Sequence, residues 1–214
     1  HIIQKAGTPT MGGVLIILSV LISSILWSDL HNNFLWIGLI SLLIFGIIGF
    51  VDDFKKIKSN SSSGLKGTTR IVLQLFFALI ISLVILYILD DKIDTSIAFP
   101  FFKNLIINFG YFYLVISLFI IVGSANAVNL TDGLDGLAIV PVMIVAMTFA
   151  FIAYVTGNII FSDYLLINYI AGTGELSVLC GALIGSSLGF LWFNAPPAKI
   201  FMGDTGSLAL GATI

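Results

Sequence analysis

Phe34-Leu35-Trp36-Ile37-Gly38-Leu39-Ile40-Ser41-Leu42-Leu43-Ile44-Phe45-Gly46-Ile47-Ile48-Gly49-Phe50-Val51 is an apolar run without a single charge, and Asp52-Asp53 ends it abruptly. The hydrocarbon layer of a bilayer is about 30 Å thick, so a helix that crosses it needs roughly twenty apolar residues. A helix on the surface of a soluble domain would show a polar stripe along one face. This run has none. It predicts a membrane-spanning helix with a carboxylate pair at its end.

The same pattern recurs on both sides of it. Apolar runs predict spans over 11–27, 34–51, 71–89, 110–127, 134–156 and 176–193, with a seventh starting near Gly203. The fold class is therefore all-α, a polytopic membrane protein with about seven transmembrane helices. Composition agrees: 58% of the 214 residues are hydrophobic and 9% charged, with a mean hydropathy of +1.13. Soluble domains carry about 25% charged residues. The one cysteine, Cys180, excludes an internal disulfide. The chain opens at His1 and stops at Ile214 inside an apolar segment, so residues 1–214 are expected to form a single transmembrane catalytic domain, incomplete at both ends.

The charges sort by side. Lys5, Lys55, Lys56, Lys58, Lys66, Arg70 and Lys199 fall at one set of helix ends, and only Lys92 and Lys103 at the other. Basic residues concentrate on the cytoplasmic side of membrane proteins. The cytoplasmic ends therefore hold the segment before Gly12, the loop from Asp52 to Arg70, the stretch around Asn129 and the loop from Asn194 to Met202. Five of the eleven acids, Asp52, Asp53, Asp132, Asp135 and Asp204, lie on that side, each at a helix mouth beside glycine or another acid. Acids at a membrane edge are costly to desolvate, and they mark function more often than decoration.

The inner acids sit in three settings. Asp52 and Asp53 are adjacent carboxylates whose repulsion a hard cation such as Mg²⁺ would relieve. Asp204 lies in Gly203-Asp204-Thr205-Gly206-Ser207 at a helix start, where backbone amides favour anions; the plainer alternative is a helix cap. Asn126-Ala127-Val128-Asn129-Leu130-Thr131-Asp132-Gly133-Leu134-Asp135 gathers two amides, a hydroxyl and two carboxylates between apolar runs. Helix packing needs no such density of oxygen. It reads as half of a site for a metal ion and a phosphate-bearing substrate. Lys55, Lys56, Lys58, Lys66 and Arg70 suit a diphosphate or anionic headgroups. Asn194 can read a planar ring edge with its donor and acceptor, or cap the sixth helix.

Together these motifs resemble one family, the polyprenyl-phosphate N-acetylhexosamine-1-phosphate transferases. The resemblance runs through Lys5-Ala6-Gly7-Thr8-Pro9-Thr10-Met11-Gly12-Gly13, Gly49-Phe50-Val51-Asp52-Asp53-Phe54, Asn126 to Ala138, Gly189 to Asn194 and Pro197 to Gly211. It implies a Mg²⁺-dependent transfer of phospho-MurNAc-pentapeptide from UDP-MurNAc-pentapeptide to undecaprenyl phosphate in the bacterial inner membrane, giving lipid I for peptidoglycan and releasing UMP. It also implies site residues. Asp204 binds Mg²⁺, with Asp52 as a further candidate ligand. Asp52 is the base or nucleophile, with Asp53 beside it, and Asp52, Asp53 and Asp204 form the catalytic set. Lys5, Asn129, Asp132, Asp135, Asn194 and Phe201 line the uridine-diphosphate pocket. Thr10, Lys56, Arg70 and Gly203 lie along the same cleft; the family usually has lysine where this chain has Arg70. A homodimer is left open, the bilayer is a partner, and nucleic acid is not. The family carries a histidine-rich motif that would fall beyond Ile214, so residues 1–214 alone are expected to be inactive.

Two other readings compete. One is a transferase that uses UDP-GlcNAc as donor. The other is an ion-coupled transporter, whose site would lie near the bilayer midplane on broken helices. The acids here sit at helix ends, which disfavours transport.

Overall fold

The computed structural model describes residues 8–59, 64–88, 95–98 and 106–214. The chain is an all-α membrane protein. Its helices are α1 (Gly13–Trp27), α2 (Asn33–Ser59), α3 (Gly67–Ile88), α4 (Phe112–Thr131), α5 (Ile139–Thr156), α6 (Ile159–Leu165), α7 (Leu176–Asn194) and α8 (Gly203–Thr213). The helices that contain the second to sixth predicted runs are long and apolar enough to cross a membrane; α1 is a shorter apolar helix. Between α3 and α4, strands β1 (Ser96–Ala98) and β2 (Ile106–Asn108) pair antiparallel, with Ile97 opposite Ile107.

The structure departs from the predicted boundaries where polar residues continue a helix. Helix α2 runs on to Ser59, so Asp52 and Asp53 lie within it and not at its C-terminus. Helix α3 starts at Gly67, which brings Arg70 into its first turns, and α4 continues to Thr131, which places Asn129 on its last turn. Helix α5 begins only at Ile139; Asp132 is the C-cap of α4, and Asp135 lies in the irregular turn between the helices. The short helix α6 and the hairpin fall in segments read as loops, because their apolar runs are too short to register as spans.

Helix α8 is the centre of the bundle. Seven of its residues, Thr205 to Gly211, are buried, and it packs against α2, α4 and α1. Apolar side chains gain little by leaving lipid, so small residues that let backbones approach drive such packing. A Cβ on Gly49 would collide with the Asp204 carbonyl, and one on Gly13 with the Gly206 amide. Two apolar clusters flank α8, one around Ile16, Leu39, Val142, Leu183 and Leu210, the other around Phe45, Ala78, Ala125 and Leu208. Polar bonds lock α4 in place. Asn126 donates to Gln74 of α3 at 2.7 Å, and Ser117 to Ser82 at 2.8 Å.

Gly49→Ala is therefore expected to force α8 away from α2 and to cost about 1–3 kcal/mol or more, the range for overpacking. Thermal unfolding of the full-length protein in detergent checks this. Gly181→Ala, whose added Cβ meets nothing within 4 Å, is the control and should leave the midpoint in place.

Candidate active site

Helix α8 begins by turning its first amides toward α2. Gly203 has φ +76°, a conformation open to glycine, and a Cβ there would lie 2.6 Å from an Asp53 carboxylate oxygen. The first amides of a helix have no partner within it. Asp53 supplies one from outside: its Oδ1 accepts Asp204 N–H at 3.2 Å, and its Oδ2 accepts Thr205 N–H at 2.9 Å and the Thr205 hydroxyl at 2.7 Å. The negative carboxylate also faces the positive end of the helix dipole. Both oxygens of Asp53 thus hold the start of α8.

Asp204, freed from capping, points the other way. Its side chain bonds to residues of other helices. Oδ1 accepts the Asn129 amide at 2.7 Å, and the same Asn129 nitrogen donates to Ser207 Oγ at 2.9 Å. Oδ2 accepts Lys56 Nζ at 2.8 Å and Arg70 Nη1 at 3.1 Å. Four helices, α2, α3, α4 and α8, therefore converge on one carboxylate.

Asp52 completes the group. It is 2% exposed, and its Oδ1 accepts the Leu65 amide at 2.7 Å. A Cβ on Gly64 would lie 2.5 Å from that carboxylate, so the chain after α2 folds tightly over it. Its Oδ2 meets Lys56 Nζ at 2.6 Å, one helical turn on. Lys56 also lies 3.7 Å from Asp53. Three carboxylates thus face two cations, an excess of one negative charge.

The donor set suits a hard divalent ion. One oxygen from each of Asp52, Asp53 and Asp204 lies within 4.8 Å of the others. Mg²⁺ takes oxygen ligands at about 2.0–2.1 Å, so opposite ligands span about 4.2 Å and small shifts close the gap. Because α8 already holds Asp53, the oxygens that only mobile side chains cover are Asp52 Oδ2 and Asp204 Oδ2.

A second polar cluster surrounds the turn after α7. Asn194, 4% exposed, accepts the Gly136 amide at 3.0 Å and donates to the Ile200 carbonyl at 2.9 Å. Asp135 Oδ2 accepts Ala198 N–H at 3.2 Å. Both side chains thus tie the 132–138 turn to the 195–200 loop. The entry to α1 is tied to the same loop: Phe201 N–H donates to Pro9 O, Gly12 N–H to Phe201 O and Gly13 N–H to Met202 O, each at 2.9 Å. Thr10 is exposed on that strap, and Phe201 is half-buried. Asp132, at the end of α4, follows Asn129 by one turn. Lys5 lies outside the described residues.

Sequence reasoning missed Leu65 and Gln74, and it noted Thr205 and Ser207 beside Asp204 without giving either a partner. Gln74 carried a signal, as the one amide in an otherwise apolar run. The other three act through a backbone amide or through hydroxyls common in any helix.

A family model described as glycosyl transferase family 4 matches residues 35–214, and a signature of phospho-N-acetylmuramoyl-pentapeptide-transferases matches residues 5–17. The chain is 58% identical over 214 residues to the phospho-N-acetylmuramoyl-pentapeptide-transferase of Pelagibacter ubique, which covers 100% of this chain and 59% of that protein. It is 55% identical over 210 residues to the enzyme of that name from Rickettsia felis, covering 98% of this chain and 58% of the relative. The Rickettsia prowazekii protein of the same name is 54% identical over 210 residues, with the same coverage. The chain spans about three fifths of the length of the curated relatives it matches.

Proposed function

Because the chain belongs to glycosyl transferase family 4, we propose that the full-length protein transfers phospho-MurNAc-pentapeptide from UDP-MurNAc-pentapeptide to undecaprenyl phosphate at the cytoplasmic face of the bacterial inner membrane, giving lipid I and UMP. The observation that carries this reading is the convergence of Asp52, Asp53 and Asp204 with Lys56 and Arg70 at one end of the bundle. A polyprenyl phosphate keeps its headgroup at the membrane surface, while a nucleotide sugar arrives from water. The chemistry therefore belongs at a helix end, where this cluster lies. The bias of lysine and arginine toward that end supports the cytoplasmic side.

In the transfer, an oxygen of the lipid phosphate attacks the phosphorus that bears the sugar. The bond between the two donor phosphates breaks, and UMP leaves with the electron pair. Two anions must meet, so the residues supply charge neutralisation and alignment. Lys56 and Arg70 place positive charge on the reacting phosphates. Asp52 takes the proton of the lipid phosphate; in the two-step alternative its carboxylate would first attack the same phosphorus and expel UMP, and the lipid phosphate would then displace Asp52 from that phosphorus. Asn129 fixes the rotamer of Asp204, and Asp53 fixes α8 beneath it. Asp204 and Asp52 are the residues that would hold Mg²⁺, which when bound would offset charge on the diphosphate. Asp132, Asp135, Asn194, Gly203 and Phe201, with Lys5 and Thr10, form the nucleotide side of the cleft.

The full-length protein, given undecaprenyl phosphate and either UDP-MurNAc-pentapeptide or UDP-GlcNAc, should form a lipid-linked product from the muramoyl donor alone. Product from UDP-GlcNAc alone would move it to the sister activity. Phe201→Ala should raise KM for the nucleotide donor by several-fold, the loss of one aromatic contact of about 0.5–1.5 kcal/mol, and leave KM for the lipid phosphate in place. An equal rise in both would make Phe201 a packing residue of the 195–202 loop.

A further inference from the structure

Lys56 occupies a special position among the basic residues of this end. Lys55 and Lys58 flank it on α2 and are exposed. Lys56 turns inward with its side chain 33% exposed, and its ammonium lies 2.6 Å from Asp52 Oδ2 and 2.8 Å from Asp204 Oδ2. Those two oxygens are also the ones a divalent cation needs. The remaining oxygens are engaged: Asp52 Oδ1 by Leu65 N–H, Asp204 Oδ1 by Asn129, and both of Asp53 by α8. An ammonium at 2.6 and 2.8 Å and an ion at about 2.0–2.1 Å fall in the same space between the same atoms, and two cations cannot share it.

We propose that Lys56 and the divalent cation exchange at this site: the Lys56 ammonium bridges Asp52 and Asp204, and it swings out to a phosphate oxygen of the substrate when the metal takes those carboxylates. The inference rests on the metal-dependent reading given above and adds a moving part to it. Charge and chain geometry both support the exchange. Three carboxylates with Arg70 alone can balance a divalent ion, whereas Lys56 in place would add a repulsive contact at close range. Lysine is a compact charge on a flexible four-carbon stem, suited to leaving one anion for another. Arg70 reaches the same Asp204 oxygen from α3 at 3.1 Å, and its planar guanidinium fork is less suited to such a move than the lysine point charge. The exchange makes the phosphate-binding lysine available only after the metal has bound, which orders the assembly of the site.

The test uses the full-length protein in detergent or nanodiscs, with two readouts besides turnover. The first is pulse labelling by an amine-reactive acylating reagent, read peptide by peptide by mass spectrometry, with and without saturating Mg²⁺ and no substrate. Labelling of Lys56 should rise several-fold with Mg²⁺, while Lys55 and Lys58 stay constant as internal controls. The second is Mn²⁺ affinity by electron paramagnetic resonance. Lys56→Met should bind Mn²⁺ about tenfold more tightly or better, the scale of one removed charge–charge contact. If wild type binds Mn²⁺ but Lys56 labelling is indifferent to Mg²⁺ and Lys56→Met binds no tighter, the exchange is overturned and the metal site stands. If neither protein binds Mn²⁺, the metal reading itself falls, and the exchange with it. The labelling experiment needs no variant, so a misfolded Lys56→Met would not shield the proposal.

Discussion

In the full-length protein, Asp204→Asn is expected to cut transfer by about 10²–10³-fold, the loss seen when one preorganised electrostatic group is removed from a reacting centre. Asparagine keeps the shape of the side chain and one acceptor oxygen. It removes the charge that draws Lys56 at 2.8 Å and Arg70 at 3.1 Å and that would hold the metal. The amide nitrogen would also set a donor against either Asn129 or the two cations. Initial rates across a Mg²⁺ titration should show a demand for more Mg²⁺ as well as a lower ceiling. A variant with wild-type rate and unchanged Mg²⁺ dependence would remove Asp204 from the metal site. Thermal unfolding should change little, because Asp53, and not Asp204, caps α8.

Asp52→Asn should show a second large effect with a different signature. As a base, Asp52 contributes about 10²–10⁴-fold, and its loss should lower kcat with little change in KM for the muramoyl donor. The proton at issue is the second one of the lipid phosphate, which leaves a phosphomonoester near pH 6. Below that pH the acceptor needs a base, and the variant should be most impaired there. Above it the acceptor is already a dianion, and the deficit should shrink as pH rises. A deficit equal at every pH would exclude the base and leave Asp52 as nucleophile or metal ligand.

What the sequence made legible depended on how each residue works. The apolar runs gave the spans, because twenty residues without a charge have few other uses. They did not give the ends. Helix α2 continues eight residues past its apolar run, because Asp52 and Lys56 face each other one turn apart and satisfy one another toward the cleft. A hydropathy reading stops at the first charge; the helix stops when its amides lose partners. The same error placed Arg70 and Asn129 in loops, although both point into the site from helices.

The acids divide along the same line. That Asp204 and Asp52 belong together was legible from their shared side of the membrane. That Asp53 differs from its neighbour was not, because the difference is made by Thr205 and the amide of residue 204, some 150 positions away. Asn194 and Asp135 were legible as polar residues in odd places. Their partners are backbone groups of the 132–138 turn and the 195–200 loop, and backbone groups leave no mark in a sequence.

The clasp of Asp53 on α8 also bears on how the protein is made. The ribosome delivers α2 long before α8: the partners of Asp53 lie 151 and 152 residues further along the chain. At roughly 5–20 residues per second, the carboxylate waits about 8–30 s at the membrane edge before the amides that fit it emerge. During that interval the nearest counter-charge is Lys56, three residues on along the same helix. Lys56, which in the folded chain sits among the three carboxylates, thus also serves the nascent chain, as the escort that lets a pair of acids stay at the bilayer surface until α8 arrives.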